Sequence, residues 1–152
     1  MSMQGIDDYR DMLLALRSAE AEFLIIGTYA LGVHGLVRAT KDIDIWVRPS
    51  PENAERVWQA LLDFGAPFHG VTQEDFSKPG IILQIGVAPI RIDITTKIDG
   101  VDFESSWKNR IKSELFGVEV HVIGRSDFIT NKRATGRAQD NVDIDRLESL
   151  ED

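Results

Sequence analysis

Cysteine is absent from the 152 residues, which excludes a disulfide framework, thiolate metal sites and a cysteine nucleophile together. Histidine is scarce: His34, His69 and His121 are the whole complement, and no two stand within helical reach of each other. A histidine-built metal centre is therefore not expected, and each histidine reads as structural. No apolar run approaches the ~20 residues of a membrane span. The N-terminus, MSMQGIDDYRD, turns acidic early and shows no basic region followed by an apolar stretch, so no signal peptide is expected. Internal repeats and low-complexity linkers are also missing. The expectation is a cytoplasmic chain with no membrane partner, folded as one domain over 1–152. Its core would lie at about 20–124, with C-terminal helices at about 125–150.

Charge is present but uneven. With 17 basic and 25 acidic residues the net charge is −8, which disfavours a general nucleic-acid coat protein. Residues 105–137 nevertheless hold seven basic and three acidic side chains. Such a stretch suits either a phosphorylated ligand or a solvated face.

Hydrophobic periodicity predicts a helix over about 6–20, from Ile6, Tyr9, Met12, Leu13 and Leu16. Residues 22–26 (EFLII) read as a buried strand stopping at Gly27, and 28–35 (TYALGVHG) as a glycine-weakened helix packing through Ala30, Leu31 and Val33. A strand follows at 42–47 (DIDIWV). Ser50-Pro51 starts the next helix, with Val57, Trp58, Leu61 and Leu62 on its buried face and Gly65 at its end. Strands at 81–87 and 90–96, joined at Ala88-Pro89, read as a hairpin. Residues 100–116 read as loop, anchored by Trp107, before a strand at 118–123. Ser126 is expected to cap a helix closed by Gly136, and 140–150 forms the last helix. The sum is a small mixed sheet flanked by helices, an α+β (α/β) domain.

The acids on the strands carry the chemistry. Asp is a poor strand former, yet DIDIWV holds Asp42 and Asp44. Residues two apart on a strand share a face, so Ile43 and Ile45 turn to the core while both carboxylates turn outward together. Arg91, Asp93 and Thr95 repeat this arrangement opposite Ile90, Ile92 and Ile94. If the two strands are neighbours, Asp42, Asp44 and Asp93 converge. Two carboxylates 4 Å apart repel by about 1 kcal/mol in water and about 4 kcal/mol at a partly buried site. A hard divalent cation offsets that repulsion, and Mg²⁺ favours oxygen ligands and retains substrate phosphates. The alternative is an ordinary wet strand face. Upstream, Gly27-Thr28 ends a strand at a helix start, where free N–H groups and the Thr hydroxyl suit a phosphate.

In order, an apolar strand, Gly27-Thr28, a thirteen-residue spacer, Asp42-Ile43-Asp44-Ile45 and a later strand acid, Asp93, resemble the DNA polymerase beta-like nucleotidyltransferase superfamily. Thr28 stands where that pattern has Gly or Ser, keeping the hydroxyl and adding a methyl. Asn131-Lys132-Arg133-Ala134, then Gly136-Arg137, Asp140 and Asp143, resemble the C-terminal helical motif of the abortive-infection-type nucleotidyltransferase toxins and their uncharacterised relatives.

The resemblance implies a nucleotidyltransferase-like fold and transfer of a nucleoside monophosphate from a nucleoside triphosphate to an acceptor hydroxyl or phosphate. It places Asp42, Asp44 and Asp93 as catalytic and metal-holding residues, with Gly27, Thr28 and Lys132 on the nucleotide and Asp140 assisting. Two Mg²⁺ ions are implied, with Mn²⁺ as an alternative. The acceptor is open among tRNA, protein and small molecules, and a cognate antitoxin or toxin is the implied partner. Two other classes stand beside this one. A catalytically weak or inactive partner module would keep the fold without transfer. A metal-dependent phosphatase or nuclease would use the same acids but leave the Gly-Thr turn unexplained.

Overall fold

The computed structural model describes residues 3–87 and 90–150, with the side chains of 3–6 outside that description. The Ala88-Pro89 turn and the packing of Ile6 therefore lie outside the described residues. Six strands form one sheet: β1 (Phe23–Ile26), β2 (Asp42–Val47), β3 (Ile82–Val87), β4 (Ile90–Thr95), β5 (Ile111–Leu115) and β6 (Val118–Val122). Six helices accompany them: α1 (Met3–Ser18), α2 (Gly27–Val33), α3 (Pro51–Phe64), α4 (Phe103–Lys108), α5 (Arg125–Thr135) and α6 (Ala138–Ser149). The expected mixed α+β architecture is the one observed.

Strand order is β3-β4-β2-β1-β6-β5. The β2–β4 and β1–β6 pairs run parallel, and the other three pairs are antiparallel. Alternation does what the sequence pattern implies. Ile43, Ile45, Ile92 and Ile94 are sealed in the core, where they join Tyr9, Met12, Leu13 and Leu16 of α1 and Val57 and Leu61 of α3. Burying each such side chain contributes about 1.5–3 kcal/mol before entropy is counted.

The ends of α3 follow from their residues. Ser50 accepts a hydrogen bond from the Asn53 amide, Pro51 fills the first turn, and Gly65 takes the left-handed conformation at φ 83°. Asn53 is itself buried and ties two strand ends together. Its side-chain oxygen accepts from the Glu22 amide at 2.7 Å, and its nitrogen donates to the carbonyls of Glu22 and Arg48 at 3.0 Å.

Three expectations change. Residues 100–116 are not loop. They contain α4, capped by Asp102 accepting from Ser105, and the edge strand β5. A six-residue helix shows less than two turns of periodicity, and an edge strand has no fully buried face to mark it. The sign of the β5–β6 hairpin is Phe116-Gly117, both at positive φ. Trp107 does pack as an anchor, stacked on Phe103 at 5.6 Å. Next, Ser126 does not cap α5. The helix starts one residue earlier, at Arg125, with Gly124 at the cap position. A Cβ there would meet the Asn109 carbonyl at 2.6 Å, so close backbone packing rather than capping selects glycine. Leu62 is half exposed (51%): α3 packs against α1 and the short 3-10 helix at Glu74–Ser77, and its Val57 and Leu61 are the residues sealed in the core. Val33, at the last turn of α2, packs against the core as expected, though only partly buried. Other element ends shift by one to three residues.

Candidate active site

The parallel β2–β4 ladder sets Asp44 beside Asp93 and Asp42 beside Arg91. Each acid is on the outward side of its strand, so all three carboxylates rise from one face. One oxygen from each of Asp42, Asp44 and Asp93 lies within 4.8 Å of the others. The expected convergence is thus present as geometry.

Gly27 stands over this cluster at φ 69°, where β1 turns into α2. A Cβ on Gly27 would lie 2.2 Å from Asp44 Oδ2. Glycine is needed here twice, for the backbone angle and for the room Asp44 takes. Thr28 follows and lines the same cavity, which has a volume of about 420 Å³.

The electrostatics match crowded acids. Asp44 is pushed up to about 7, first by burial, then by the charges of Asp42 and Asp93 and a hydrogen bond with Asp93. Asp93 is also raised by burial and by Asp42, against the pull of Arg91. Asp93 Oδ1 is buried and has no hydrogen-bond partner. Arg91 Nη2 bridges Asp42 Oδ2 at 2.7 Å and Asp93 Oδ2 at 3.2 Å. Thr40 Oγ1 lies 3.1 Å from Asp42 Oδ1 and donates to it.

The opposite wall is basic and comes from α5, α6 and the segment before β2. Lys132 Nζ lies 3.7 Å from Asp140 Oδ1 and 5.5 Å from the Phe128 ring centre. Arg137 Nε donates to Asp140 Oδ2 at 3.0 Å, and Thr135 also donates to that carboxylate. Arg38 pairs with both oxygens of Asp143, and Gln139 donates to Asp143 Oδ1 at 3.0 Å. Asp140 and Asp143 are nearly sealed, at 5% and 4% exposure. Burial works to raise both pKa values. Thr135, Arg137 and Lys132 around Asp140, and Arg38 and Gln139 around Asp143, outweigh it and hold both below the usual carboxylate range.

Arg38, Lys132 and Arg137 therefore line one cavity with Gly27, Thr28 and the three strand acids. Gly27, Thr28, Asp42, Asp44, Asp93, Lys132 and Asp140, the residues expected at the site, all line that cavity. Three cations gain a place that sequence reasoning did not give them. Arg91 could have been found as the residue two before Asp93, on the same strand face. Arg38 carries no local sequence signal, since its partner Asp143 is 105 residues away. Arg137 belongs to the Gly136-Arg137 pair of the C-terminal motif, whose resemblance implies no role for it. The histidines stay outside the cavity. His34 Nε2 sits 2.8 Å from the Ile123 carbonyl, which can only accept, so that nitrogen carries the proton and ties α2 to the end of β6.

The donor set fits a hard divalent cation. It consists of oxygens alone, carries excess negative charge, and leaves a buried carboxylate oxygen without a partner.

The six-stranded mixed sheet with flanking helices is a nucleotidyltransferase-like fold. A solved structure from Thermotoga maritima, described as a "putative nucleotidyltransferase", superposes on the chain with a TM-score of 0.58. It shares 14% sequence identity and covers 93% of this chain and 91% of its own. At that identity the likeness is one of fold. No protein-family model matches the chain, and no curated protein matches it. Among the described residues, no helix is long and apolar enough to cross a membrane.

Proposed function

We propose that this chain is a metal-dependent nucleotidyltransferase, moving a nucleoside monophosphate from a nucleoside triphosphate to an acceptor hydroxyl or phosphate. One observation carries the reading. Three carboxylates on neighbouring strands face three cationic side chains across a single cavity, with the Gly27-Thr28 turn between them. A fold shared with the Thermotoga maritima protein supports it.

Asp42, Asp44 and Asp93 would hold Mg²⁺, which when bound supplies charge for the transferring phosphate and lowers the pKa of an acceptor hydroxyl. Gly27 makes the turn and leaves room for Asp44, and the Thr28 hydroxyl donates to a phosphate oxygen. Lys132, Arg137 and Arg38 offset the negative charge that gathers on the pyrophosphate leaving group. Asp140 stays ionised at neutral pH because of its three partners, so it acts as a positioning residue for Lys132 and Arg137 rather than as a base. Asp93, beside the other metal-holding acids, would also be placed to take a proton from an acceptor hydroxyl whose pKa the ion lowers.

The test is incubation with α-labelled triphosphates and Mg²⁺, scoring label on tRNA, protein and small molecules. Transfer by the wild type and its loss in the D42A/D44A double variant are expected. Undiminished transfer in that variant would overturn the assignment. The toxin role implied by the Asn131–Asp143 motif is tested by inducing the chain alone. Growth arrest that disappears in the same double variant is the expected outcome.

A further inference from the structure

Arg91 stands where a cation would. Its one nitrogen, Nη2, is shared between Asp42 at 2.7 Å and Asp93 at 3.2 Å. These are two of the three carboxylates able to share an ion. The β2–β4 register makes this placement unavoidable at the backbone, since Arg91 sits beside Asp42 and two residues before Asp93. The head itself is held less firmly. Arg91 Nε is buried without a hydrogen-bond partner, so the guanidinium is fastened through Nη2 only. The side chain is 35% exposed and borders the open cavity, which gives it room to turn. A guanidinium and a divalent ion between the same two carboxylates repel each other strongly at separations of ~4 Å.

We propose that Arg91 is a built-in competitor of the divalent cation. Its guanidinium neutralises Asp42 and Asp93 in the metal-free protein and swings away before an ion uses both carboxylates. The proposal rests on reading Asp42, Asp44 and Asp93 as the cation site. It adds that metal affinity in this chain is set by an internal cation as well as by the acids. Arg91 thereby offsets the repulsion between Asp42 and Asp93 when no ion is bound, at the expense of weaker metal binding.

The probe is Mn²⁺, titrated calorimetrically into the full chain without nucleotide, for wild type, R91Q, D42N and D93N. R91Q is expected to bind Mn²⁺ roughly tenfold or more tightly than wild type, the scale of removing one unit charge at a partly exposed site. D42N and D93N are expected to bind it more weakly. Unchanged or weaker binding by R91Q, with D42N and D93N both impaired, would overturn the competition and leave the cation site standing. Binding indifferent to all three substitutions would overturn both.

Because R91Q leaves the acids without their guanidinium, its fold is checked by circular dichroism. A wild-type measurement stands beside it. The ¹⁵Nε–H resonance of Arg91, assigned by its absence in R91K, is expected to shift on titration with diamagnetic Mg²⁺. A resonance unmoved once Mg²⁺ saturates the protein would overturn the proposal even if R91Q does not fold.

Discussion

Replacing Asp44 by asparagine should make the metal-free protein more stable. Asp44 is pushed up to about 7, with burial first among the causes and the charges of Asp42 and Asp93 next. Folded chains therefore retain a proton that unfolded chains release near the ordinary value of 3.8. The sign follows from linkage: the folded state binds more protons between these values, so its stability falls as pH rises from about 4 through 7. Each tenfold in proton affinity is worth about 1.36 kcal/mol, which puts the ceiling on the loss at about 4 kcal/mol above pH 7. The substituted amide keeps an N–H toward Asp93 and carries no charge, so it mimics the protonated acid.

The assay is thermal unfolding in EDTA between about pH 4.5 and 8.5 for wild type and D44N. At about pH 8 the variant should gain roughly 2–4 kcal/mol, on the order of 5–10 °C in Tm for a domain of this size. Near pH 4.5 the advantage should shrink to about 1 kcal/mol. Added Mg²⁺ should reverse the order, because an ion bound only to the folded state stabilises wild type by mass action. A D44N that is less stable at pH 8 in EDTA, or a difference that does not vary with pH, would refute the reasoning.

Other outcomes follow from the same geometry. G27A places a methyl 2.2 Å from Asp44 Oδ2 at φ 69°, so it should lose more than about 1 kcal/mol of stability and most of any transfer activity. Denaturant unfolding and the labelled-triphosphate assay check the two effects separately. K132M should weaken triphosphate binding by roughly tenfold while leaving Mn²⁺ affinity nearly unchanged, read by calorimetry with each ligand. D140N leaves the mostly buried Lys132 without its anion, while Arg137, 70% exposed, stays solvated, so the loss should be about 1–3 kcal/mol. Wild-type Asp140 and Asp143, held low, should contribute stability that is intact above pH 3.8 and lost as pH falls below it. A D140N chain that unfolds at the wild-type denaturant midpoint would contradict the pairing.

Much of the scaffold could be read before any coordinates. The strand at 42–47, the Ser50–Gly65 helix and the closure of α5 at Gly136 depend on residues within a few positions of one another. Where a cue was short or one-sided, the reading failed. Phe103–Lys108 spans less than two helical turns, and Ile111–Leu115 has no buried face. Ser126 looked like a cap, yet the helix begins at Arg125 because the backbone at Gly124 packs against Asn109.

The acids divide along the same line. That Asp42 and Asp44 share a face, and that Arg91 shares one with Asp93, follows from the two-residue period of a strand and needs nothing distant. That the two strands run side by side and parallel, with Asp44 opposite Asp93, was decided by tertiary structure. The same is true of Arg38 reaching Asp143 and of Lys132 and Arg137 closing on Asp140 above the strand acids. Backbone stereochemistry dictates which way a side chain points within one element. Which elements meet depends on burying Ile43, Ile45, Ile92 and Ile94 against helices far away in the chain, and only that shared core brings the charges together.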